Sequence, residues 1–153
     1  MTAPLRARAR LGLASVAEIE RDAAGAAANV MAAHEDLLGA ITASTVALAS
    51  RLELVDRECA LYEEVVARVV ACGRAGDAEA GFAAAEAASA DAPVRLWRAL
   101  LLTARIAHGE RGLIDNDIDV ALAAEAQARP GSRVACLRAI ERGLRRRAAD
   151  PDS

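Results

Sequence analysis

Small or apolar residues recur at steps of three and four along the first half of the chain, and no proline interrupts them between Pro4 and Pro93. The series runs Val16, Ile19, Ala23, Ala26, Val30, Ala33, Leu37, Ile41, Ser44, Leu48, Leu52, Val55, Cys59, Tyr62, Val66 and Val69, with extra four-residue steps after Leu37 and after Leu48. Such spacing keeps the positions on one face of a helix, so the series predicts a near-heptad helical seam over residues 15–72. Ser15 with Glu18 three residues on has the form of a capping box and marks the expected start. Residues 1–14 are then a flexible tail. Arg6, Arg8 and Arg10 give the tail a positive charge, and Leu11-Gly12-Leu13 is too short an apolar centre for a secretory signal.

One helix over residues 15–72 would be about 85 Å long. A break near Gly39 to Thr45, where Gly39, Thr42, Ser44 and Thr45 cluster, would fold it into a long helical hairpin; unbroken, it would need a second chain alongside as a coiled coil. Beyond Cys72 the expected elements are shorter. Gly73 and Gly76 bracket a turn, Asp77 caps a helix to about Ala90, and Pro93 opens another that ends before Gly109. Asp115 or Asn116 caps a helix to about Arg129, and Ser132 caps a last one from Arg133 to about Arg147. The reading is a single all-α domain over residues 1–153: a helical bundle of about six helices, with short helix pairs over 77–148 and a flexible tail over 149–153.

Composition supports that class. Of 153 residues 41 are alanine, and Leu, Ile, Val and Phe together number 35, enough for a packed core. The one Phe, one Trp and one Tyr are too few for a β-sandwich or barrel, and no run of 18 uncharged apolar residues provides a membrane span. All 19 basic residues are arginine, a bias that with abundant alanine points to a GC-rich bacterial genome. Cys59, Cys72 and Cys136 form no CxxC pair and fit reduced thiols in a cytoplasmic protein. The net charge of −3 is unevenly spread: residues 15–92 hold five arginines against fourteen acids, residues 93–149 eleven against six. The halves can neutralise one another within the chain, pair with a second copy, or face different partners.

From Gly76-Asp77, the small residue Gly81, Ala88 and Pro93 follow at intervals that resemble a tetratricopeptide-type helical hairpin, and Leu102 and Ile106 suit the apolar positions of a next one. Arg68 and Ala85 depart from that pattern, Trp97 lies two positions early for its aromatic, and the loop at 109–115 breaks the 34-residue period. The resemblance covers residues 60–130 and implies protein binding on a concave helical face.

No catalytic constellation emerges. Neither His34 nor His108 has a carboxylate at Glu-x-x-His spacing or belongs to His-Glu-x-x-His, so metal chemistry of those kinds is excluded. His34 reads as part of a solvated face, as do Glu58, Glu63 and Glu64, and His108 as a favourable cation at a helix C-terminus. The cysteines meet no zinc spacing, and Asp115-Asn116-Asp117-Ile118-Asp119 lacks the glycine and glutamate of a calcium loop. No glycine-rich phosphate loop or nucleophile elbow occurs. No catalytic, cofactor-binding or metal-binding residue is therefore assigned. The expected function is a non-enzymatic protein–protein interaction module, an adaptor or assembly chaperone that binds a partner helix or itself. The candidate partner-binding residues are Val30 and Val66 on the seam, Trp97, whose indole either packs across its helix onto Leu101 or stands partly exposed as an interface anchor, and Arg142, Arg145, Arg146 and Arg147 on the basic C-terminal helix. The alternatives are a nucleic-acid-associated regulator that uses that helix, and a small enzyme whose site is scattered in sequence.

Overall fold

The computed structural model describes residues 1–88, 92–109 and 127. Six helices follow one another in these residues, with no strand among them: α1 (Ala3–Ile19), α2 (Ala23–Thr42), α3 (Leu48–Arg57), α4 (Cys59–Ala71), α5 (Ala75–Ala88) and α6 (Ala92–Ala107). The protein is an all-α helical bundle. None of these helices is long and apolar enough to cross a membrane. The helices expected over 115–129 and 133–147 lie outside the described residues.

The chain begins in a helix. Thr2 caps α1 by accepting from the Leu5 amide, and Pro4 sits in the first turn, where its missing N–H costs nothing. Residues expected to be a tail thus supply a packed face of Ala7, Leu11, Ala14 and Ala17. Ser15 caps nothing: it lies mid-helix with its hydroxyl donating to the Leu11 carbonyl, and Glu18 pairs with Arg68.

Helix α1 ends in a Schellman motif. The Asp22 amide reaches the Ala17 carbonyl at 2.8 Å and the Arg21 amide the Glu18 carbonyl at 3.0 Å, with Arg21 in the left-handed region at φ 60°. The Asp22 carboxylate then caps α2 through the Gly25 amide. This reversal lays α1 antiparallel on α2, so Arg6 and Arg10 reach Asp36.

The seam is consequently split. Its Ala26–Ile41 and Val55–Val69 stretches are internal, whereas Val16 and Ile19 are exposed. A break does fall near Gly39 to Thr45, between Thr42 and Leu48, so the unbroken helix is not formed. It is closed from a distance: the Arg51 guanidinium, itself buried, donates to the Ile41 and Val46 carbonyls. Glu58 separates α3 from α4 as a kink with backbone hydrogen bonds on both sides. At the end of α4, Gly73 (φ 75°) repeats the Schellman turn, and Gly76 and Asp77 lie in the first turn of α5. Arg98 of α6 bridges Glu79 and Glu86 of α5, one instance of the acidic half of the chain being neutralised from within.

Candidate functional site

The chemically rich side chains gather where α2, α4, α5 and α6 meet. Tyr62 stacks on Trp97 with ring centroids 4.1 Å apart and planes 7° from parallel. Phe82 stands edge-on to both Tyr62 and His34. The Tyr62 hydroxyl lies 2.8 Å from His34 Nδ1. All four rings are buried. Burial pushes the His34 pKa down to about 4, so its imidazole is neutral near pH 7. Burial, reinforced by the charge of Glu79, holds the Tyr62 phenol well above its usual range. The protonated phenol therefore donates to Nδ1, which leaves the imidazole proton on Nε2. Neither His34 Nε2 nor Trp97 Nε1 has a partner among the described residues.

This corner corrects one expectation and decides a second between two readings. His34 is not on a solvated face: it follows the seam, one residue after Ala33, and faces α4 and α5 instead of water. Trp97 is not an exposed anchor, since its indole is fully enclosed against Tyr62. Val30 and Val66 are likewise core residues at 1% and 2% exposure, so they belong to the chain's own packing and offer nothing to a partner. Arg142, Arg145, Arg146 and Arg147 lie outside the described residues. His108 does follow the last turn of α6, exposed, as expected.

An open groove of about 440 Å³ runs beside this corner, lined by Glu35, Leu38, Gly39, Thr42, Ala85, Ala88 and Val94. Its lining carries one carboxylate and one hydroxyl among small apolar groups, and the rings of His34 and Tyr62 are not part of it.

The surface feature with a pattern is the outer side of α1. Leu5, Ala9, Gly12, Val16 and Ile19 follow one another at steps of four, three, four and three, and all are exposed. Ile19 keeps 82% of its surface and Leu5 54%, while Leu13 beside them keeps 56%. Four-three spacing is the repeat of a helix that packs along a second helix. The inner positions Ala7, Leu11, Ala14 and Ala17 lie on the opposite side, so α1 is apolar on both. The arginines beside the stripe are paired within the chain while staying partly exposed: Arg8 with Glu58 at 3.0 Å and Arg10 with Asp36 at 2.6 Å. The Arg68 guanidinium grips the end of α1 from α4, donating to the Leu11 carbonyl and to Glu18. In the sequence this stripe is hidden, because residues 1–14 resemble a tail and Val16 and Ile19 continue the internal seam. The four-three steps from Leu5 to Ile19 were the available signal. Comparison with protein-family models, curated proteins and solved structures found no match to this chain.

Proposed function

We propose that the protein is a non-enzymatic helical interaction module that binds a partner helix, or its own copy, along the outer side of α1. The observation that carries this reading is the exposed heptad stripe Leu5, Ala9, Gly12, Val16 and Ile19. Exposed apolar residues scattered singly need no explanation, but a periodic stripe on one helix presents a continuous apolar ridge. The internal placement of the histidine–tyrosine pair supports the same reading, because groups shielded from solvent by four helices are poorly placed to act on a substrate.

Affinity capture with the tagged chain, from cells that also express an untagged copy, tests it, wild type beside Val16→Glu. A charge in the middle of the stripe must be desolvated on docking, which is costly without a partner. Proteins retained by the wild type should be lost by the variant while its thermal melting stays unchanged. Identical captured sets would overturn the reading.

A further inference from the structure

We infer that the occupant of the outer side of α1 is a second copy of the same helix, packed antiparallel about a two-fold axis near Gly12. This rests on the interaction reading above and names its partner.

Three observations lead there. First, Gly12 is glycine in the middle of a helix, where it costs up to about 1 kcal/mol relative to alanine. Nothing among the described residues requires it: a Cβ built there meets no atom within 4 Å. The missing side chain instead clears the centre of the exposed stripe, where an approaching helix backbone would lie closest. A two-fold axis there sets Gly12 against Gly12 and Leu5 against Ile19, with Ala9 and Val16 staggered between them, so large residues fill the ends and the smallest lies at the crossing.

Second, the charges beside the stripe suit only one direction. Arg6 and Glu20 are fourteen residues apart, two heptads, and so share one flank; Arg8 lies on the other. In antiparallel helices like flanks face each other, which brings Glu20 of one copy to within two residues of the level of Arg6 in the other, inside the reach of its long side chain; Arg6 retains 44% of its side-chain surface although it donates to the Met1 carbonyl and lies near Asp36. Parallel packing would set Arg6 against Arg8. The antiparallel order also opposes the helix dipoles favourably.

Third, Arg8 and Arg10 spend part of their charge on Glu58 and Asp36, although their side chains stay 53% and 39% exposed. That partial neutralisation favours an apolar helical partner over an anionic membrane surface.

Sedimentation of the full-length chain from micromolar to millimolar concentration should show a monomer–dimer equilibrium. Gly12→Gln should weaken it at least tenfold while leaving the monomer as stable or more so, because glutamine is the better helix former and a Cβ at this position has open space. With Cys72 and Cys136 replaced by serine, Gly12→Cys should cross-link to itself under mild oxidation. Leu5→Cys should cross-link only when mixed with Ile19→Cys.

A chain monomeric throughout overturns the inference. So does a dimer indifferent to Gly12→Gln, a Leu5→Cys chain that cross-links to itself, or binding to phosphatidylserine vesicles by a chain that does not dimerise. In each case the broader interaction reading stands or falls separately, on the Val16→Glu capture.

Discussion

The corner around Tyr62 and the helix α1 hold the molecule together by opposite means. At the corner, four helices are joined by the rings of His34, Tyr62, Phe82 and Trp97, every one enclosed. Along α1 the buried contribution is three alanines and one leucine, and the attachment is completed by ion pairs from Arg8, Arg10 and Arg68. Apolar stabilisation scales with area, roughly 25 cal/mol per Å² removed from water, so the corner gains most per residue from large rings, whereas α1 gains by packing small side chains closely along α2. The comparison separates two roles that sequence patterning merges. The His34–Tyr62 pair and the stacked rings are consumed by the interior, and the outer side of α1 is plain hydrocarbon at helical spacing.

The largest effect that would break this contrast is at Trp97. Trp97→Ala removes the ring stacked on Tyr62 and should cost about 3–5 kcal/mol, the range for buried aromatics, measured by urea unfolding. A loss below about 1 kcal/mol would mean the surroundings collapse to fill the space. In the wild type the indole emission should be blue-shifted and resist iodide.

Next comes a pH dependence. His34 is held neutral in the fold with its pKa near 4, against about 6.5 when unfolded. Between those values the unfolded chain binds more protons, so the contribution of His34 is full above about pH 6.5 and is lost as pH falls toward 4. The total is about 3 kcal/mol at roughly 1.4 kcal/mol per pKa unit. His34→Gln can still accept from the Tyr62 hydroxyl and should flatten that part of the stability–pH curve. Equal acid sensitivity in the two proteins would refute the burial account.

Smaller again is Tyr62→Phe, which keeps the stack on Trp97 but leaves His34 Nδ1 without its donor. An unsatisfied buried acceptor costs about 1–3 kcal/mol, so this variant should fall below wild type by less than Trp97→Ala in the same unfolding series.

The smallest change sharpens the picture at the edge of α1. Arg21 occupies a left-handed position that glycine adopts without a Cβ penalty. Arg21→Gly should therefore raise stability by up to about 1 kcal/mol, unless freedom gained in the unfolded chain cancels it; a clear loss would show that the Arg21 side chain contributes to the turn.

That turn also explains what the sequence revealed and what it hid. The chain uses the same Schellman geometry after α1 and after α4. At Gly73 the glycine announces it, and the boundary was legible; at Arg21 no residue signals a reversal, so the three-and-four rhythm ran on across two helices that point in opposite directions. The result was a seam whose first members, Val16 and Ile19, belong to the outer side of α1. Reading Thr2 and Pro4 as a cap and first turn would have exposed the earlier helix. The break after Thr42 was visible in its small polar residues, but its closure by Arg51 was not, because a guanidinium reaching carbonyls five and ten residues back leaves no local pattern. All-α character was legible throughout, since alanine, leucine, glutamate and arginine favour helix almost regardless of context. The aromatic corner was not. Tyr62, Phe82 and Trp97 lie on separate helices, and their meeting depends on tertiary geometry that periodicity does not encode.

The division between a closed interior and an open α1 face rests on one paired measurement. Glutamate is placed at Val30, on the inner side of α2, and at Val16, on the outer side of α1, and thermal melting is recorded in dilute solution where any self-association is suppressed. Val30→Glu buries an unpaired charge in the core and should unfold the protein or lower its melting point sharply. Val16→Glu should leave it within about 0.5 kcal/mol of wild type, as for an ordinary surface position. Equal destabilisation by the two would show that the outer side of α1 is covered by the chain itself, and would contradict the account.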